Sequence, residues 1–145
     1  MSEALNPEDL TIFKPTHVEV YKKTQAHLME IEKFLKEPME STIPELVVRA
    51  GKAANLQSST GVIIKNATGL FSIAKGIAAK KLVEMEGFDK LKDSMVRLMM
   101  SGVLANFEAL DKQSERTVKS LDKYIDLIRS VISAEKSLVE KVNQH

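Results

Sequence analysis

The C-terminal part of the chain repeats apolar residues at heptad spacing, and this pattern constrains the fold more than any other feature. Apolar residues at alternating three- and four-residue steps share one face of an α-helix, which must be buried against another helix. Only Glu135 interrupts the series. We therefore predict a long, coiled-coil-like helix whose apolar stripe is an interface between subunits. The predicted interface residues are Val118, Leu121, Ile125, Ile128, Ile132, Val139 and Val142.

A polar patch, residues 111–117 (DKQSERT), precedes that stripe and contains no apolar residue. The helical register nevertheless continues through it, from Phe107 and Leu110 to Leu121. We predict one helix over about residues 89–143, which at ~1.5 Å per residue would be roughly 80 Å long. A helix of this length exceeds what a compact domain needs, so a partner in another subunit is expected. The alternative is a pair of helices bent at residues 111–117.

Helix starts and stops are marked nearer the N-terminus. Asn6 followed by Pro7 predicts a short first helix. Thr16 and Glu19 have the spacing of a capping box, which predicts a helix over about residues 17–37 that Pro38 ends. A second capping box at Thr42-Ile43-Pro44-Glu45 opens the middle segment. Gly87 has the position of a left-handed residue just past a helix end.

These signals predict an all-α fold of three to four helices in an elongated hairpin or bundle. The chain has 145 residues, and its 43% hydrophobic and 28% charged content suits a single globular domain. We divide it into acidic N-terminal helices (1–41), a basic segment rich in small residues (42–86), and a long C-terminal helix or helix pair (88–145).

Charge is segregated along the chain, although the net charge is only +1. Residues 46–83 contain no Asp or Glu, whereas residues 1–45 have nine acids and five bases. Such segregation predicts an electrostatic partner for the middle segment. That partner is either another molecule or the acidic flanks of the same chain. If the segment packs at a subunit interface, we expect the acid-rich flanks of neighbouring copies to complement its charge. The predicted anion- or partner-binding residues are Arg49, Lys52, Lys65, Lys75, Lys80 and Lys81.

The same segment has small residues at helical spacing. Gly51, Ala54, Ser58 and Gly61 begin this series, and we predict that they form a close-packing face. Each glycine inside a helix costs about 1 kcal/mol relative to alanine, so the helix needs packing to hold it. The segment is either one helix over residues 43–85 or two helices with a break near residues 55–61.

No catalytic, metal or cofactor motif emerges from the sequence. The chain has no cysteine, and His17, His27 and His145 do not have metal-ligand spacing. Lys52 is followed by alanine, so Gly51-Lys52 does not fit a phosphate-binding loop. We therefore predict a protein that is not an enzyme, with no metal, cofactor or small-molecule substrate.

Three functions remain. The first is a self-assembling structural or scaffold protein whose middle segment contacts an acidic or anionic partner. The second is a nucleic-acid-binding oligomer, by analogy with viral and phage DNA-packaging or DNA-organising factors, an analogy of composition and fold only. The third is an amphipathic helix on a membrane surface. We expect a cytoplasmic homo-oligomer. We also expect no transmembrane segment, because Lys65, Asn66 and Lys75 interrupt the most apolar window, residues 61–79.

Overall fold

The computed structural model describes residues 14–39, 42–85 and 87–143, and only the backbone of Val103. Within these ranges the chain is all-α, with four α-helices, one short 3₁₀ helix and no strand. The α-helices are α1 (Pro15–Lys36), α2 (Ile43–Gln57), α3 (Thr60–Val83) and α4 (Asp93–Asn143). The predicted all-α architecture with a long C-terminal helix is therefore confirmed. The short helix predicted from Asn6 lies outside the described residues.

Helix α1 starts at a proline rather than at the predicted capping box. Its N-cap is Lys14, which has extended backbone and makes no side-chain capping bond, and Pro15 occupies the first turn. Proline suits this position because its missing N–H has no partner there and its φ angle is already helical. The capping box predicted at Thr16 is wrong for this reason. The helix ends before Pro38, as predicted, with Glu37 in extended conformation.

The second predicted helix start is confirmed. The Thr42 hydroxyl accepts a hydrogen bond from the Glu45 backbone N–H at 3.4 Å, and α2 begins at Ile43. Thr42 thereby satisfies one of the N–H groups that the first helical turn leaves without a partner.

Helices α2 and α3 are separated by a turn at Ser58 and Ser59, so the broken form of the middle segment is the observed one. Three successive hydroxyls account for the break. Ser58, Ser59 and Thr60 each donate to the carbonyl three residues earlier, at 2.6, 2.8 and 2.8 Å. Such bonds compete with the helical ladder and tighten the chain locally.

Helix α4 runs without interruption through residues 111–117, so the single-helix form of the C-terminal region is also the observed one. Its 51 residues correspond to about 76 Å. The connection from α3 includes Gly87, whose φ of +81° is left-handed as predicted. A 3₁₀ helix, Phe88–Lys90, follows it, which is why α4 starts at Asp93 rather than near residue 89.

Polar contacts between helices define their directions. Gln57 donates to Asp122 and Thr68 donates to Asp111, both at 2.9 Å. The contact made later in the α2–α3 segment, at Thr68, therefore reaches an earlier residue of α4 than the contact at Gln57 does. Helix α4 thus runs antiparallel to α2 and α3. Helix α1 runs parallel to α4, because Tyr21 packs on Phe107 and Phe34 packs on Tyr124, both edge to face.

The core lies where α1, α3 and α4 meet. Helix α3 packs against both other helices, and α2 packs mainly against α4. The fully buried large side chains are Leu28, Ile31, Leu46, Ile63, Leu121 and Ile128.

Candidate anion-binding face

The six cations predicted to bind a partner fall into two groups in the structure. Arg49 is buried, with 5% of its surface exposed, whereas the five lysines are exposed. Arg49 follows Leu46 by three residues and precedes Ala53 by four, and both of these residues are buried. This spacing places Arg49 on the core side of α2, so the sequence itself carries a signal that Arg49 is internal.

Arg49 joins three helices. Its Nε donates to the Tyr124 hydroxyl of α4 at 2.5 Å. Its terminal nitrogens donate to the Glu37 carboxylate and to the Phe34 carbonyl, each at 2.8 Å. The guanidinium also lies over the Phe34 ring, 4.4 Å from its centroid. Arg49 thus caps the C-terminal end of α1, where carbonyls lack partners and a cation is favoured.

The charges in this cluster support each other. Burial disfavours the charge on Arg49, but its hydrogen bonds with Tyr124 and Glu37 outweigh burial and raise its pKa above the usual value. The hydrogen bond from Arg49 lowers the pKa of Glu37, and the nearby charges of Arg49, Lys52 and Lys33 lower it further. Its Nε and both terminal nitrogens thus donate to groups of the protein itself. This arrangement corrects the prediction for Arg49, which stabilises the fold and is not available to an anionic partner.

The lysines of the middle segment are available. Lys52, Lys65, Lys80 and Lys81 are exposed, and the structure gives none of them an ion pair with a described residue. Lys75 is also exposed, and its Nζ lies 3.9 Å from the centroid of the Phe71 ring.

Positive charge is concentrated on α3 and not on the other long helices. Helix α3 has four lysines and no acid. Helix α1 has three acids and four bases, and α4 has eight of each. None of the described helices therefore carries a net negative charge that would complement α3 in a neighbouring copy.

Aliphatic side chains lie among the lysines on the outward face of α3. Val62, Ile73 and Val83 are 57%, 39% and 61% exposed. At about 100° per residue these three positions fall within about 80° of one another around the helix. Lys65 and Lys80 fall within the same sector. We call these five residues the α3 face.

The span Ile43–Val83 is long and apolar enough to cross a membrane, judged by length and composition alone. This finding differs from our expectation that no segment qualifies, because the most apolar 18-residue window of the span has no more than two charged residues. Only 28% of the most apolar window is buried in the fold.

The predicted subunit interface is divided by the fold. Val118, Leu121, Ile125 and Ile128 are buried inside the chain's own bundle, and Ile132 is half-buried against the same core. The hairpin with α2 and α3, together with α1, supplies the partner that we expected from another subunit. Only Val139 and Val142 remain exposed, beside the exposed Leu138.

The predicted close-packing face is not used within the chain. Gly51, Ala54, Ser58 and Gly61 are all exposed. A Cβ atom added at Gly51 or Gly61 would meet no atom within 4 Å. No described element of the chain therefore approaches these residues closely, and their small size is not required by the internal packing.

Two further observations concern small ligands. In the described part of the chain, no group of three or more His, Cys, Asp or Glu residues is placed to hold a metal ion. The surface has open grooves, among them one of about 490 Å³ between α1 and α4. A cavity of about 280 Å³ is lined by Pro44, Glu45, Val48, Arg49 and Lys52.

Comparisons with known proteins add no family assignment. No protein-family model, no curated protein and no solved structure matches the chain.

Proposed function

We propose that the protein is a non-catalytic helical scaffold or interaction protein that binds an anionic partner through its middle segment. One observation carries this proposal: the lysines of α3 are exposed, form no ion pair with any residue that the structure describes, and have no acid on the same helix. A helix whose charges only stabilise its own fold usually alternates acids and bases, as α4 does.

The arrangement of the lysines supports an extended contact. Lys65 and Lys80 are fifteen residues apart on one helix, which corresponds to about 22 Å. Two exposed cations at this separation suit a surface or polymer with many negative charges better than a single small anion. Release of counterions from such a partner would favour binding at low salt.

Self-association is the second part of the proposal. Leu138, Val139 and Val142 are exposed at the C-terminal end of α4, after the part of the stripe that the core buries. Because these apolar side chains share a helical face, pairing with the same region of a second copy would bury them. Several copies on one partner would then multiply a weak single contact.

The test for anion binding uses charge reversal with a matched control. The variant Lys65→Glu/Lys80→Glu changes the α3 face, and Lys119→Glu/Lys123→Glu makes the same charge change on exposed positions of α4. We expect retention on immobilised heparin to fall strongly with salt and to be lost only in the α3 variant. Equal loss in both variants would contradict the proposal, because binding would then follow net charge.

The test for self-association is mass by light scattering over a range of concentrations. We expect an oligomer, and we expect Val139→Asp/Val142→Asp to reduce it to a monomer without changing the helical circular dichroism. A monomer in the unmodified protein at high micromolar concentration would contradict this part of the proposal and leave the anion-binding part standing.

A further inference from the structure

We infer that the anionic partner of the α3 face is the surface of a lipid bilayer that carries anionic headgroups. This inference rests on the proposed function, since it names the class of partner for the same face. Three features of the molecule support it: the aliphatic side chains between the lysines, the extent of burial of α3, and the charge balance of the other helices.

The aliphatic side chains favour a bilayer over a nucleic acid. Val62, Ile73 and Val83 lie in the same sector as Lys65 and Lys80 and are exposed in the free chain. A bilayer interface takes up such residues, because the aliphatic groups enter the acyl boundary while the lysines reach the headgroups. The phosphate backbone of a nucleic acid has no apolar region that could bury exposed valines. The stacking that nucleic acids reward would require exposed aromatic rings, and Phe71 is half-buried with Lys75 over its ring.

The low burial of α3 separates it from an ordinary core helix. A core helix that is long and apolar enough to cross a membrane is mostly buried by its own protein, whereas only 28% of the most apolar window of Ile43–Val83 is buried. Apolar residues are therefore present in excess of what the bundle uses. The core-facing side of α3, from Ile63 to Ala78, packs on α1 and α4. Only the outward side is free, so contact from the surface fits the fold better than a crossing helix.

The charge balance disfavours a second copy as the occupant of this face. Helix α3 has four lysines and no acid, while α1 and α4 are close to neutral. None of the described helices therefore has a net negative charge to match that of α3. A surface of anionic headgroups has one, and each lysine near such a surface contributes about fivefold in affinity.

A single tryptophan gives a direct test, because the chain has none. We would measure the fluorescence of Ile73→Trp with vesicles of phosphatidylcholine and phosphatidylglycerol in equal parts, with pure phosphatidylcholine vesicles, and with heparin. The inference predicts a blue shift of emission with the anionic vesicles alone. Leu127→Trp, at an exposed position of α4, is the matched control and should not shift. A shift at both positions, or at neither, would overturn the inference.

Sedimentation with vesicles tests the lysines and the aliphatic side chains of the α3 face separately, in variants that carry no added tryptophan. Lys65→Glu/Lys80→Glu should weaken binding to the anionic vesicles at least about tenfold. Val62→Ser/Val83→Ser should also weaken it at least about tenfold, because apolar area no longer enters the interface. Both valines are exposed, so the thermal midpoint should not change. Met29→Ser, an exposed apolar residue of α1, is the control and should bind normally.

The outcome for heparin keeps the two proposals distinct. If heparin retention is lost in Lys65→Glu/Lys80→Glu but no vesicle binding occurs, anion binding stands and the lipid inference is overturned. Vesicle binding that does not respond to Val62→Ser/Val83→Ser would overturn the lipid inference as well. If neither heparin nor vesicles bind, the proposed function itself fails.

Discussion

The Arg49 guanidinium on α2 donates to the Tyr124 hydroxyl on α4 across 75 residues of sequence. The same guanidinium binds the end of α1 through the Phe34 carbonyl and the Glu37 carboxylate. One buried cation therefore links three helices, because Arg49 lies on α2 and donates both to α4 and to the C-terminal end of α1.

We expect Arg49→Ala to lower the free energy of unfolding by about 3 kcal/mol, because it removes hydrogen bonds to three residues together with a buried guanidinium that packs on the Phe34 ring. Tyr124→Phe removes only one hydrogen bond and should cost about 1 kcal/mol. Urea unfolding of both variants and of Arg49→Lys, which keeps the charge and loses the fork, measures the difference. A smaller loss for Arg49→Ala than for Tyr124→Phe would contradict this role.

The lowered pKa of Glu37 predicts a loss of stability in acid. Its folded pKa lies below the ordinary value of 4.5, so its contribution is complete above about pH 4.5 and is lost as the pH falls through the folded pKa. The free energy of unfolding of the wild type should therefore fall more between pH 7 and pH 3 than that of Glu37→Gln does. Equal acid sensitivity of the two proteins would show that the ion pair with Arg49 does not contribute.

The raised pKa of Tyr21 predicts a loss of stability at alkaline pH. Burial raises its pKa from 10.0 to about 12, so the folded state holds its proton where the unfolded state loses it. Stability should consequently fall as the pH rises above about 10. Tyr21→Phe has no such proton, and its unfolding free energy should vary less between pH 9 and pH 11. Parallel curves for the two proteins would contradict the burial of this ring.

Replacing glycine by alanine should change the stability in opposite directions at two positions, Gly76 and Gly87. Gly76 lies inside α3, with no atom within 4 Å of a Cβ atom placed there, so Gly76→Ala should stabilise the chain by about 0.5–1 kcal/mol. Gly87 has a φ of +81°, so Gly87→Ala should destabilise it by about 1 kcal/mol. Thermal unfolding measures both. Destabilisation by Gly76→Ala would mean that an unseen neighbour packs on α3.

The helices could be predicted from sequence because their signals are local. Apolar spacing, Pro38 and Thr42 each act within a few residues, and the structure follows them. The start at Pro15 was missed because two local signals, a proline and a capping box, overlap at residues 15–19.

The groups against which the apolar stripe and Arg49 pack are set by tertiary contacts, which cannot be read from the sequence pattern. Leu121 and Ile128 have the spacing of a subunit interface, and that spacing is equally satisfied by a helix of the same chain folded back against them. Charge counting treated Arg49 like the lysines, although its spacing from Leu46 and Ala53 places it on the core side of α2. Its partners, the Tyr124 hydroxyl and the Phe34 carbonyl, could be found only in the structure.

The most direct measurement of the central claim is a lysine-labelling footprint, read by mass spectrometry with and without heparin. The lysines of α3 and α4 are both exposed in the free chain, so both should react with the label. If the α3 face binds the anionic partner, Lys65 and Lys80 lose reactivity on binding while Lys119 and Lys123 keep theirs. Protection of the α4 lysines with none at Lys65 and Lys80 would contradict the account.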